Sequence, residues 1–293
     1  MTSPSSIDSF PPPEMARRAA EVGVNKAHLP FGPMVLLSVL AGAYIAMGAA
    51  LYTTAMTGAN GIVPFGAARV LGGLAFCLGL ILVVVGGAEL FTGNMFLVMG
   101  WADRRLPFVL LIRNWIVVYV GNLVGSVAVA YLVYLAQQHT MADGAVGLQA
   151  LTTASAKCGL PFTVALSRGV LCNALVCLAV WMTYSCRTTG DKILAILFPI
   201  TAFVTCGFEH SVANMYFIPV ALFIKHGGPA AFWATAGASP GQFADLTWAN
   251  FAGANLLPVT LGNIVGGAGF VAGVYWLIYG RGEGTTQEKG PRR

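Results

Sequence analysis

Charge is scarce in this chain. Only 9% of its 293 residues are Asp, Glu, Lys or Arg, against roughly 25% in a soluble domain, which excludes a water-exposed globule from the outset. Histidine is rare as well, with 4 copies, and none stands in metal-ligand spacing with another His or with Cys. The 6 cysteines, at positions 77, 158, 172, 177, 186 and 206, form no Cys-x-x-Cys pair. Most of them lie inside apolar runs and read as small buried hydrophobes, so no metal and no cofactor is expected. No basic patch is interleaved with exposed aromatics, so the net charge of +5 does not imply a nucleic-acid partner. No cleavable apolar segment precedes the first long apolar run, which argues against a signal peptide.

What remains is apolar surface and glycine. Hydrophobic residues make up 57% of the chain and glycines number 36, a composition suited to closely packed helices in lipid. The reading is an all-α polytopic membrane protein in the cytoplasmic (inner) membrane, with lipid around it. It has six transmembrane helices: Met34 to about Met56, from near Ala67 to Gly87 with a piece resuming at Met95, Leu106 to about Ala136, Phe162 to Tyr184, Ile193 to Ile224, and Phe251 to about Tyr279. Residues 1–33 form a cytoplasmic segment with an interfacial helix around Glu14 to Lys26, its Met15, Ala19 and Val22 on one side. Residues 34–280 form the pore domain, with polar loops at Gln137 to Pro161 and for about 25 residues after Lys225. Residues 281–293 form a charged tail expected to be disordered.

Two of the apolar runs are interrupted by polar residues. Glu89-Leu-Phe-Thr-Gly-Asn94-Met95 breaks the second and Glu209-His-Ser-Val-Ala-Asn214-Met215 the fifth, with Glu and Asn-Met in the same register. Later in each half, Gly121-Asn122-Leu-Val-Gly125 matches Gly262-Asn263-Ile-Val-Gly266. Three spans per half make the second half enter the membrane in the opposite sense, so the pattern is an aquaporin-like inverted repeat (about 34–136 and 162–280) with broken helices two and five and a substrate site between the breaks. A break in lipid frees backbone N–H and C=O groups, tolerated only where protein or water satisfies them. Glu89 and Glu209, with Asn94 and Asn214, are expected to serve that need, the carboxylates accepting from the freed donors of their own loops; contact with a passing substrate stays open for Glu209. On topology, Arg17, Arg18, Lys26, Arg104, Arg105, Arg113, Arg187, Lys192, Arg281, Lys289, Arg292 and Arg293 fall on one side. Only Arg69, Lys157, Arg168 and Lys225 fall on the other, which puts both termini in the cytoplasm. His210 alone among the histidines lies at membrane depth. A buried ionisable group there marks a functional site, and an arriving anion would favour its charged form over the neutral one that desolvation favours.

Gly87-Ala-Glu-Leu-Phe-Thr-Gly-Asn94, Asn114-Trp-Ile-Val-Val-Tyr-Val-Gly-Asn122-Leu123 and Gly207-Phe-Glu-His-Ser-Val-Ala-Asn-Met215 resemble the signatures of the formate/nitrite transporter family. Cys177-Leu-Ala-Val-Trp-Met-Thr-Tyr-Ser185, Asp191-Lys192 and Asn255-Leu-Leu-Pro-Val-Thr-Leu-Gly-Asn263 are similar to its formate-channel branch. The resemblance implies a homopentamer with a pore in each protomer that carries a small anion, and no enzymatic activity. It implies Leu80, Leu90 and Phe91 at the cytoplasmic constriction and Phe203 at the opposite one. Thr92 is then a partner of His210 or of the substrate, Lys157 draws anions in from the far side, and Asn173 and Asn263 line the path. Gly93-Asn94 after Thr92 is closer to the nitrite-type pattern, so formate, nitrite and hydrosulfide all stay open as substrates. A bare carboxylate crossing an apolar ring costs several kcal/mol more than a neutral acid, so a protonated His210 beside Thr92 is expected to hold the anion and donate a proton. An aquaporin-like channel for neutral solutes lacks its Asn-Pro-Ala pairs here, and a two-histidine haem site lacks a second intramembrane histidine.

Overall fold

The computed structural model describes residues 8–59 and 61–280. The predicted disordered tail, with the four basic residues counted in it, lies outside the described residues. Proline starts much of the structure. Pro11, Pro30, Pro64, Pro107, Pro161 and Pro229 each sit at the N-cap of a helix, where a missing N–H leaves no bond unmade and the fixed φ leads into the first turn. The helices are α1 (Pro12–Ala27), α2 (Phe31–Met56), α3 (Phe65–Gly86), α4 (Leu97–Ala102), α5 (Phe108–Leu135), α6 (Ala145–Cys158), α7 (Phe162–Ser185), α8 (Thr189–Thr205), α9 (Ser211–Gly227), α10 (Ala230–Ala236) and a continuous α11 (248–279). Two stretches of α11, Phe251–Leu256 and Val265–Gly273, are wound as π-helix.

Among the described residues five helical stretches are long and apolar enough to cross a membrane: α2, α3, α5, α7 and the stretch Pro240–Tyr279. The predicted span Ile193 to Ile224 is divided between α8 and α9, of 17 residues each, which separately fall short of the roughly 20 residues a crossing needs. Packing repeats between the halves. α2 lies against α3 and α5, and α7 lies against α8 and α11. The recurring Gly-Asn-x-Val-Gly sequence has its reason in these contacts. A Cβ at Gly125 would overlap the carbonyl oxygen of Val39 on α2, and one at Gly266 that of Val170 on α7. Only glycine lets the backbones come that close.

Two expected loops are helical. The segment from Gln137 to Pro161 contains α6, whose Val146, Ala150, Leu151 and Ala154 are buried. Their spacing is that of one helix face, diluted in the sequence by Thr, Ser and Gly. The segment after Lys225 contains α10 and a 3₁₀ turn at Pro240–Phe243. α1 buries Met15, Ala16, Ala19, Ala20 and Gly23, with Gly23 against the backbone of Phe96 and Leu97 at the start of α4.

Candidate functional site

α3 ends in a left-handed Gly87 (φ 72°), and the corner between α8 and α9 turns on a left-handed Gly207 (φ 71°). Most other residues are strained at such φ values. After each turn two or three residues run without helical bonds, and their freed backbone groups find partners in the same pattern. Glu89 N–H donates to Leu37 O and Glu209 N–H to Arg168 O, both at 3.2 Å. Phe91 N–H and Ser211 N–H donate to the side-chain oxygens of Asn122 and Asn263, both at 2.9 Å. The amide of Asn122 donates to Ser38 O (2.7 Å) and Glu89 O (2.9 Å); that of Asn263 donates to Gly169 O (2.8 Å) and Glu209 O (3.0 Å). At each break one freed N–H is therefore met by a backbone carbonyl of α2 or α7 and another by an asparagine of α5 or α11, a correction to the expectation that the two glutamates would serve them.

The carboxylates have another duty. Glu89 accepts from Asn94 Nδ2 at 2.8 Å and pairs with Lys26 Nζ at 3.0 Å. Glu209 accepts from Asn214 Nδ2 at 2.7 Å and pairs with Lys157 Nζ at 2.9 Å. Asn114 completes the first cluster, accepting from Asn94 (2.9 Å) and donating to Lys26 O (3.3 Å). Asn255 completes the second in the same way, with Asn214 at 2.7 Å and Lys157 O at 3.0 Å. Buried carboxylates need such company, since removing either partner strands a charge at low dielectric. Lys26, Asn114 and Asn255 were not among the sequence-predicted site residues. The signal for the two asparagines is a longer repeat, because Asn114 precedes Asn122 by the same eight residues that separate Asn255 from Asn263.

His210 caps α9. Its Nδ1 accepts from Ala213 N–H at 3.0 Å, and its Nε2 lies 2.9 Å from Thr92 Oγ1. A backbone N–H pointing at Nδ1 requires a lone pair there, so in this arrangement the ring is neutral with its proton on Nε2, donated to the threonine hydroxyl. The expected protonated ring is thus not the state this geometry holds. Phe203 lies face to face with the imidazole, ring centres 5.9 Å apart at 22°. Thr92 and His210 are buried, and one comes from each half of the chain.

Two cavities flank this pair. One, of about 290 Å³, is lined by His210, Phe203, Phe208, Glu209, Lys157 and Asn214 among others; the second, of about 210 Å³, by Leu80, Leu90, Glu89, Lys26, Asn94 and Lys192 among others. They share no lining residue. Leu80 and Leu90 line the second cavity and Phe203 the first. Phe91 lines neither cavity; it is buried edge-on against Tyr119 (4.9 Å) and Trp115 (6.2 Å). Asn263 and Asn173 line neither cavity either, Asn173 donating to Asn263 O at 2.7 Å. The Asn263 amide holds the second turn, and the buried Asn173 Oδ1 has no hydrogen-bond partner among the described residues. Among the described residues no group of His, Cys, Asp and Glu is placed to hold a metal ion.

Membrane-crossing helices with a hydrogen-bonding pair between two separated cavities define a protein that passes small solutes through its own interior. The family model for formate/nitrite transporters matches residues 13–277, and the chain belongs to that family. It is 42% identical over 279 residues to the formate channel FocA of Escherichia coli (strain K12), covering 95% of this chain and 98% of that one. Identity to the formate channel FocA of Haemophilus influenzae is 44% over 230 residues, covering 78% and 81%. A solved pentameric formate channel with formate bound superposes with a TM-score of 0.78 at 44% identity, covering 85% of this chain and 97% of that one.

Proposed function

We propose that this protein is a channel for formate, not an enzyme, with one pore through each protomer of a homopentamer. The observation that carries the reading is the buried Thr92–His210 pair, 2.9 Å apart, between two cavities each bordered by apolar side chains and backed by a lysine–glutamate pair. In this reading the chain crosses the cytoplasmic membrane six times with both termini in the cytoplasm. α3 with α4 makes the interrupted second crossing and α8 with α9 the interrupted fifth. Residues 34–280 are the pore domain and α1 covers its cytoplasmic mouth. The relatives described as formate channels support formate over the other small anions of the family.

An anion entering either cavity meets a cation first and an apolar ring next. A desolvated carboxylate crosses such a ring only at a cost of several kcal/mol, and a neutral acid at far less. Between the rings the Nε2–H of His210 and the hydroxyl of Thr92 are donors for the carboxylate oxygens. Charging the imidazole displaces the Ala213 amide from Nδ1, and a bound anion offsets that loss, so proton and anion are linked at this residue. Leu80 and Leu90 bar hydrated ions on one side and Phe203 on the other. The Glu–Lys–Asn clusters and Asn122 and Asn263 hold the turns that carry the pair, and Asn173 bonds the Asn263 carbonyl.

Uptake of labelled formate into sealed proteoliposomes tests the reading, with nitrite and hydrosulfide as competitors at two external pH values. Formate flux that rises with acidity and is weakly competed supports it. Flux dominated by nitrite or hydrosulfide replaces formate as the substrate, and no anion flux ends the channel reading.

A further inference from the structure

Four cations lie on the α6 side of the molecule, and three of them are committed to other groups. Lys157 is paired with Glu209 at 2.9 Å. Lys225 donates to the carbonyls of Phe243 and Leu246, both at 2.8 Å. Arg69 donates to Tyr52 OH at 2.8 Å, to Thr205 O at 3.2 Å and to Val204 O, tying the end of α8 to α3. Arg168 is different. It is partly buried and lines the same cavity as His210, Lys157 and Glu209, and among the described residues its guanidinium has no hydrogen bond and no ion pair. Among the described residues Glu209 is the only acidic one lining that cavity, and it is already matched by Lys157.

The repeat supports a role beyond packing. The backbone of Arg168 accepts Glu209 N–H, as Leu37 accepts Glu89 N–H in the other half. That framework asks only for a carbonyl oxygen, and leucine meets it. An arginine at the equivalent position adds a side chain the turn does not use. The guanidinium, with its planar fork of donors, matches a carboxylate in two-point contact and keeps its charge at any working pH.

We propose that Arg168 forms a carboxylate-binding subsite at the mouth of the His210 cavity, which concentrates formate ahead of the Phe203 constriction and favours planar carboxylates over spherical anions. The inference rests on the channel reading for its substrate, and two experiments separate the two. In proteoliposomes, Arg168→Gln raises the half-saturating formate concentration about 3- to 5-fold, the scale of a half-exposed charge pair, leaves the maximal rate near that of the parent and flattens the dependence on ionic strength. Arg168→Lys restores the ionic-strength dependence and only part of the affinity. An Arg168→Gln protein with parental half-saturation and salt dependence overturns the proposal. The second readout needs no transport: phenylglyoxal labelling of Arg168 in the purified parent, followed by peptide mass, slows in formate relative to chloride of equal ionic strength. Labelling equally fast in both salts overturns the subsite. Protection without flux keeps the subsite and removes the channel reading. These substitutions spare the backbone carbonyl that holds Glu209, so the turn survives them.

Discussion

The two turns of this molecule share one framework and differ in what they present. At each, a left-handed glycine ends the incoming helix, an asparagine from a distant helix takes the freed N–H, and a Glu–Lys–Asn–Asn cluster stands behind. In register, however, Leu90 of the first turn stands where the second has His210, and Thr92 of the first where the second has Val212. The lysines differ too. Lys26 bonds both Glu89 and Asn94, each at 3.0 Å, whereas Lys157 bonds Glu209 alone and Asn214 Oδ1 has no partner. A broken helix in an apolar setting poses the same backbone problem wherever it occurs, so its solution is duplicated. The polar chemistry is needed once, and the two halves supply one residue each to it.

That comparison is open to attack by substitution, starting with the framework. Asn122→Leu and Asn263→Leu each strand a buried N–H and two buried carbonyls, worth about 1–3 kcal/mol per group, and both are expected to collapse thermal stability in detergent by similar amounts. A neutral result at one site shows that the halves are not equivalent. Glu89→Gln and Glu209→Gln leave a lysine facing no charge, a loss of about 3–5 kcal/mol where the pair is well buried. The second is expected to lower the melting temperature more, because the Lys157 side chain is 15% exposed and that of Lys26 28%. Gly87→Ala and Gly207→Ala are each expected to destabilise by about 1 kcal/mol from φ strain. The added methyl meets nothing within 4 Å at Gly87 and only Arg69 Nη2 at 3.5 Å at Gly207. Phe10 is held between the guanidiniums of Arg18 (3.3 Å) and Arg187 (3.4 Å). Phe10→Ala is expected to loosen the start of α1 by about 0.5–1 kcal/mol per contact; faster proteolysis ahead of α1 with an unchanged melting temperature is the matching observation.

Much of this was legible in the chain because lipid makes polar residues conspicuous. Glu89, Asn94, His210 and Asn214 interrupt apolar runs, and Thr92 shares the interruption, so their gathering near two breaks follows from where they stand. The clusters behind the breaks were harder to read. Lys26 precedes the first apolar run and reads as a topology charge, and its partner Glu89 lies far along the chain. Asn255 sits inside a π-wound stretch of α11, where the helical period that would mark its face is altered. Asn263 and Asn173 were expected on the path from the family resemblance alone. Asn263 serves backbone groups freed by the break, a demand that arises only once the helices are packed, and Asn173 bonds the Asn263 carbonyl. α6 escaped notice because Thr, Ser and Gly dilute its apolar face in the sequence.

In the proposed channel His210, facing Thr92 across the two halves, links the anion to a proton. The most direct test of this link is formate uptake into proteoliposomes over a range of external pH, for the parent and for His210→Asn, which keeps an N–H donor beside Thr92 but cannot titrate. The expected outcome is a parental rate that climbs as pH falls and a His210→Asn rate that is lower and nearly flat. A His210→Asn protein with the parental rate and pH profile in both directions would contradict it.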